Sequence, residues 1–254
     1  MKFEVITLFP EFFELSLRQS LLGKAIDKKL FEIEIINLRD YATDRHNTVD
    51  DTPFGGGGGM VLKVEPIDRC LAALGYTRRG EESQPNGKEK ILLTSAAGRK
   101  FDQRTAIGYS LCDRLAIICG HYQGVDERIT RLYRMEEVSI GDYVLTGGEP
   151  AATVIVDAVA RLIPKVLGNF ESATDDSHMD EIVGAPSYTR PAEYEALEVP
   201  AALLSGNHRE IDKYRRRMAI EKCLRNRPDL LKQAELTEDE QEMVRQLDEN
   251  LDIE

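Results

Sequence analysis

The sequence predicts an α/β protein, a parallel sheet with helices followed by a smaller helical domain, and three observations carry that prediction. Two apolar runs, ILLT at 91–94 and LAIIC at 115–119, each lead into a turn and then a helical pattern, the βα unit of a parallel sheet. The stretch 137–162 repeats the arrangement, with Gly141, Gly147 and Gly148 ahead of a helix. Beyond Pro164 the apolar periodicity stops, and what resumes after Pro186 is helical and densely charged.

Taken in order, residues 2–7 read as a short strand ended by Phe9-Pro10, and Phe13, Leu17 and Leu21 continue as one helical stripe. FEIEIINL at 31–38 alternates apolar and polar residues and reads as a second strand. Residues 40–60 form a long polar loop ending in five consecutive glycines, 55–59. No Lys-Ser/Thr follows them, so they are not a phosphate-binding loop. A plain linker and a lid made with Asp50, Asp51 and Phe54 both stay open. Residues 60–64 look extended, 66–74 helical, and 78–88 are a polar connection. In the first βα unit, 95–98 is the turn and Asp102 caps a helix to Leu111; in the second, 120–124 is the turn and 125–132 the helix. The third strand is expected at 143–145, between glycines. Glu149 and Pro150 suit the first turn of the next helix, where the dipole favours an acid and proline loses no hydrogen bond. Ala151, Ile155, Ala158, Val159 and Leu162 then recur at helical spacing, with Arg161 near the end. Open parallel sheets bind ligands at the carboxyl ends of their strands, so loops 94–99, 120–124 and 139–148 should converge on one pocket. None carries GxGxxG, which disfavours a dinucleotide.

Residues 169–186 are polar and irregular, the pattern of an interdomain linker, and acids in such a stretch are ordinarily just solvated. The expected division is 1–167, a linker at 168–184, and 185–254. In the last part, Asn207 is a candidate cap for a helix on which Arg209, Lys213, Arg216 and Arg217 share one face and Ile211, Tyr214 and Met218 the other. A phosphate-binding face and an ordinary solvated face fit equally. Pro228 ends that segment, and Thr237-x-x-Glu240 is a capping box for a final acidic helix through Val244, Leu247 and Leu251.

Length allows a sizeable buried core. No apolar run approaches the roughly 20 residues of a membrane span, and the first residues lack a signal-peptide pattern, so a cytoplasmic protein is expected. Four cysteines form no CxxC pair, which argues against zinc or a disulfide framework. The net charge of −12 hides an uneven distribution: the last twenty residues carry −8, whereas 209–227 hold eight Lys or Arg against three acids. Screening confines charge effects to about 8–10 Å, so this local basic face is what a nucleic acid would meet.

Together the motifs ITLFPEFF (6–13), DDTPFGGGGGM (50–60), GHYQGVDERI (120–129), SIGDYVLTGGE (139–149), DAVARLIP (157–164) and SYTRP (187–191) resemble the bacterial tRNA guanine-N1 methyltransferases of the SPOUT superfamily. The resemblance implies a SPOUT-type domain with a deep trefoil knot, a homodimer, S-adenosylmethionine as methyl donor, and magnesium as an assisting ion with unknown ligands. It further implies as substrate the guanine directly 3′ of a tRNA anticodon when guanine precedes it, which would make the anticodon stem-loop the partner. Asp176 is implied as the base, supplied by the partner subunit to a shared active site, and Arg161 as the stabiliser of O6. Donor contacts are then expected on Leu93, Thr94, Ser95, Gly120, Tyr122, Gln123, Gly124, Ser139, Ile140, Gly141, Tyr143, Leu145, Gly147 and Gly148. Substrate contacts fall on Asp50, Gly58, Tyr188, Arg190 and His208, together with the basic helix face of Arg209, Lys213, Arg216 and Arg217. Three positions depart from the family's usual residues. Gln123 replaces glutamate, which affects the motif's carboxylate contact to the donor's ammonium or a metal. Gly58 replaces proline or alanine, which should loosen a lid, and Ser187 replaces a larger polar residue. The rivals are a methyltransferase for another RNA position and a noncatalytic RNA-binding protein of the same fold.

Overall fold

The computed structural model describes residues 1–81, 88–167, 177–178 and 182–251, and forms two compact units, Met1–Gly168 and Asn169–Glu254. The first unit is built on a five-stranded sheet. Its strands are β1 (Lys2–Thr7), β2 (Glu32–Asn37), β5 (Glu89–Lys100), β6 (Arg114–Ile118) and β7 (Met135–Ser139), in the order β2-β1-β6-β5-β7, all paired in parallel. Two short strands, β3 (Asp50–Asp51) and β4 (Val61–Leu62), pair antiparallel beside it and bracket the glycine run.

Side chains alternate across a strand, so each strand feeds both faces of the sheet. Leu115 and Ile117 enter one apolar cluster with Phe3, Val5, Phe13 and Val159, whereas Ala116 and Ile118 enter another with Ile6, Ile67, Leu71 and Tyr133. Two faces must therefore be covered. The first is covered by α1 (Phe12–Ser16), α2 (Ser20–Asp27), α4 (Gln103–Ser110) and α6 (Glu149–Ala160), and the second by α3 (Val64–Ala73) and α5 (Arg128–Leu132). The predicted cap forms at α4, where Asp102 accepts from Thr105 N at 2.7 Å, and at α6 Glu149 and Pro150 occupy the first turn as expected, after Gly148 as the N-cap.

Several expected elements are corrected. The single helical stripe through Phe13, Leu17 and Leu21 is two helices, because Gln19 is extended and Ser20 sits at φ 58°, outside helical geometry. Residues 95–98 are not the end of a strand. They bulge out of β5, which leaves Val138 of β7 at Thr94 and returns to it at Arg99. The helix expected over 125–132 begins only at Arg128. The strand expected at 143–145 is irregular chain, and the third strand is Met135–Ser139. Its glutamates are tolerated because β7 lies at the sheet edge, where Glu136 reaches Lys90 and accepts from Tyr109 Oη at 2.8 Å.

The second unit contains α7 (Ala201–Leu204), α8 (His208–Asn226), α9 (Pro228–Leu231), α10 (Glu238–Leu251) and a small hairpin, β8 (Glu193–Tyr194) and β9 (Leu197–Glu198). Its core is Ile182, Ala219, Ile220 and Cys223, with Val183, Leu230, Leu236 and Val244 against it. Ile182 and Val183 are packed residues, so this end of the polar stretch belongs to the unit's core. Pro228 opens α9 after α8 has ended, and the Asn207 side chain makes no capping bond. The capping box is formed: Thr237 N donates to Glu240 Oε2 at 2.9 Å and Glu240 N to Thr237 Oγ1 at 3.3 Å.

Candidate active site

Beside the bulge in β5 and beyond the carboxyl ends of β6 and β7 the chain crosses itself at very short range. Gly148 N donates to Gly120 O at 2.8 Å, Gly120 N donates to Thr94 Oγ1 at 3.0 Å, and Thr94 Oγ1 donates to Ile118 O at 3.2 Å. Only glycine permits this approach. A Cβ on Gly148 would overlap Thr94 Oγ1 and stand 2.7 Å from Gly120 N and 2.8 Å from Cys119 Cα, and a Cβ on Gly120 would stand 2.5 Å from Thr94 O.

Just past the crossing, Glu149 is 3% exposed. A buried carboxylate needs partners, and it accepts from Thr7 Oγ1 at 2.6 Å and meets His121 Nε2 at 2.8 Å. His121 packs in turn on Phe9, ring centroids 5.0 Å apart. This network ties the first turn of α6 to the end of β1 and to loop 120–124. In the sequence Glu149 reads only as an acid in a first turn, and nothing marks Thr7 or His121 as its partners. The one available signal was an acid placed directly behind two glycines that must be packed.

The three loops enclose a cavity of about 390 Å³, within the range of small-ligand sites. All fourteen expected donor residues line it: Leu93, Thr94, Ser95, Gly120, Tyr122, Gln123, Gly124, Ser139, Ile140, Gly141, Tyr143, Leu145, Gly147 and Gly148. Ser139 Oγ donates to Gly141 O at 2.9 Å and accepts from Gly141 N at 3.3 Å, which shapes the turn after β7. The exposed apolar residues Tyr143, Val144 and Leu145 also line the cavity, so the apolar stretch that sequence reading makes a strand is its wall. Tyr122 sits at φ 58°; burial pushes its phenol up, and the nearby Asp50 carboxylate adds to the effect.

Other expected residues lie elsewhere. Arg161 is the C-cap of α6, its N–H donating to Asp157 O at 3.2 Å, at the opposite end of the helix from the cavity, which it does not line. Arg161 lies ten residues beyond Ala151, the last residue of α6 to line the cavity, about 15 Å at 1.5 Å per residue. Asp176 lies outside the described residues. Asp50 is in β3, and Gly58 belongs to the glycine run, in which four of the five glycines have positive φ. In the second unit, Tyr188, Arg190 and Arg216 line a cavity of about 1010 Å³ with apolar residues such as Val199, Leu203 and Ile211. His208, Arg209, Lys213 and Arg217 are exposed on α8, whereas Arg216 is half-buried and pairs with Glu240, Nε to Oε1 at 2.7 Å. Among the described residues no group of three or more His, Cys, Asp or Glu is placed to hold a metal ion, and no helix is long and apolar enough to cross a membrane.

The chain is similar to known proteins along most of its length. The family model described as tRNA (Guanine-1)-methyltransferase TrmD matches residues 1–233. The tRNA (guanine-N(1)-)-methyltransferase of Geobacter metallireducens is 48% identical over 249 residues, 98% of both chains. That of Carboxydothermus hydrogenoformans is 48% identical over 240 residues, covering 94% of this chain and 91% of the relative. The Latilactobacillus sakei enzyme is 42% identical over 247 residues, 97% of each chain. With a family match over most of its length and relatives this similar end to end, the chain belongs to the tRNA (guanine-1)-methyltransferase family.

Proposed function

We propose that the protein transfers a methyl group from S-adenosylmethionine to N1 of the guanine 3′-adjacent to the anticodon, in tRNAs whose preceding base is guanine. The observation that carries the reading is the convergence of the three glycine-bearing loops on one cavity in a chain of this family. The cavity suits the donor: it has room for a small molecule, an apolar wall from Leu93, Ile140 and Leu145, and a backbone rim that side chains would obstruct. The close crossing of residues 94, 120 and 148 favours the trefoil knot as part of the same proposal.

The donor, when bound, supplies an electrophilic methyl and its own leaving group. The chain must do the rest. The guanine N1–H proton passes to a base, N1 takes the methyl, and negative charge appearing on O6 is stabilised. Asp176 is the proposed base and Arg161 the O6 partner. A carboxylate of ordinary pKa, about 3.9, is a weak base for this proton, so the charge on O6 has to be met by a cation in the transition state.

The position of Arg161 bears on the assembly. An arginine about 15 Å along a helix from the nearest lining residue of its own donor cavity serves the reaction readily only at a second copy's cavity, which supports a homodimer with composite sites. The exposed Arg209, Lys213 and Arg217 on α8 give the second unit a phosphate-contacting face, and the Tyr188, Arg190 and Arg216 cavity lies in that unit too. A cytoplasmic location goes with a tRNA substrate. Magnesium stays an expectation of the resemblance, read by titrating activity against a chelator.

The deciding experiment is methyl transfer to unmodified tRNAs with and without guanine at the last anticodon position, followed by nucleoside analysis. The expected product is 1-methylguanosine, formed on the first set alone. Asp176→Asn should abolish it while donor binding persists. Another methylated nucleoside, or donor binding without turnover in the parent, would refute the proposal.

A further inference from the structure

Loop 120–124 is stitched along one side to the chain that follows the glycine run. Gln123 N donates to Met60 O at 3.1 Å, Leu62 N to Gly124 O at 3.0 Å, and Asp126 N to Leu62 O at 2.9 Å, with Leu62 and Val125 bridged in parallel. At the head of this ladder the Gln123 side chain adds a bond of its own, its Nε2 donating to Gly58 O. Gly59 leaves the space for it. At φ +93° it turns the chain over the amide, and a Cβ there would stand 2.9 Å from Nε2 and 3.1 Å from Cγ of Gln123. The neighbouring Tyr122 faces Asp50, at the other end of the same segment. Gln123 also lines the cavity, so one side chain joins the cavity wall to the glycine run.

We infer that Gln123 is a positioning residue whose amide, by donating to the Gly58 carbonyl, fixes the glycine run at the rim of the donor cavity. The chemistry of the side chain decides this. An ionised glutamate of the same length has only acceptors, so it cannot bond a backbone carbonyl and is repelled by it. Glycine loses more conformational freedom on ordering than any other residue, and this run holds four of its five glycines at positive φ. A single anchor therefore has its largest effect here. The amide in this chain replaces a charge with a tether, and tight donor binding then draws on an ordered rim. That last clause rests on the proposed donor reading, whereas the tether does not.

The test uses the full-length protein with glycine-selective nitrogen-15 labelling and no donor present. Gly58 and Gly59 amides are expected to be rigid in the parent, with order parameters near 0.85, and to fall below about 0.6 in both Gln123→Ala and Gln123→Glu. Gly59→Ala serves as a cross-check: beyond the strain at its φ, it should perturb the parent more than the Gln123→Ala chain, where the amide it would crowd is gone. With donor added, dissociation should quicken by about two- to tenfold in both Gln123 variants, the range of one net hydrogen bond. Flexible Gly58 and Gly59 amides in the parent, or Gln123→Glu as rigid as the parent, would overturn the inference. Ordered amides that loosen as expected in a protein with no affinity for S-adenosylmethionine would leave the tether standing and remove the functional reading instead.

Discussion

Replacing Gly148 by alanine isolates packing from every other effect of a glycine. Its backbone is ordinary for an L-residue, φ −83° and ψ −9°, so alanine incurs no conformational strain and by chain entropy alone should stabilise the fold by about 0.4–1 kcal/mol. The contacts argue the other way. The new Cβ meets Gly120 N at 2.7 Å and Cys119 Cα at 2.8 Å, backbone atoms that no rotamer change can move, and it overlaps Thr94 Oγ1. Moving Thr94 aside gives up its bond to Ile118 O and leaves Gly120 N without its acceptor. Overpacking costs about 1–3 kcal/mol and an orphaned buried donor a comparable amount, so a net loss of about 2–4 kcal/mol is expected, with donor affinity falling as the loops are forced apart. Gly108 is the control. It lies inside α4 with nothing within 4 Å of a Cβ, and Gly108→Ala should stabilise by about 0.5–1 kcal/mol. Urea denaturation and calorimetric titration with S-adenosylmethionine read both variants. A Gly148→Ala protein within about 0.5 kcal/mol of the parent and binding donor normally would refute the packing argument.

The remaining predictions concern charge and assembly. Burial pushes the Glu4 carboxyl up, but bonds from Tyr76, Arg114 and Lys2 outweigh it and hold it below the usual range. A depressed folded value means stability present above the unfolded value, about 4.3, and lost as pH falls through the folded one. Arg114→Ala should cost about 3 kcal/mol at neutral pH, since Tyr76 and Lys2 remain, and thermal melts should show the variant losing less than the parent on acidification. Arg161→Ala and a cavity-blocking Leu145→Trp, each inactive alone, should regain up to about a quarter of parental activity when co-expressed, because half of random pairs carry one intact composite site. No recovery would place Arg161 at its own chain's cavity or outside the chemistry. Removing Arg209, Lys213 and Arg217 should weaken tRNA binding and lower the salt slope by up to about 0.9 per lost phosphate contact, while Arg216→Ala should instead loosen α10 through Glu240.

What the sequence made legible follows from how local each signal is. Asp102 and the Thr237–Glu240 box are self-contained, and both form. Glycines at 141, 147 and 148 signal a bend and a close approach, though not what is approached, and nothing marks Gly120 as their partner. Residues 143–145 misled because Tyr-Val-Leu between glycines has strand composition; its side chains are 55%, 85% and 41% exposed, so its apolarity belongs to a cavity wall. The true strand, MEEVS, was hidden by two glutamates that only its edge position explains. At Gln123 the residue type suggested only a missing charge, because the acceptor its amide finds is a carbonyl sixty-five residues away in sequence. The close crossing at residues 94, 120 and 148 and the separation of Arg161 from its own cavity are properties of the whole path, and no window of sequence encodes them.

The sheet order also dictates when this protein can begin to be itself. β1 leaves the ribosome ahead of β2, its neighbour on one edge, but its other edge is reserved for β6, with Lys2 opposite Arg114 and Ile6 opposite Ile118. At about 5–20 residues per second, the roughly 80 residues between β2 and β6 keep that edge open for about 4–15 seconds. An unpaired strand edge flanked by Phe3, Val5 and Ile6, residues destined to be almost wholly buried, is an invitation to wrong partners. Newly made chains therefore expose this edge until β6 is synthesised, an interval in which wrong partners compete with the native pairing.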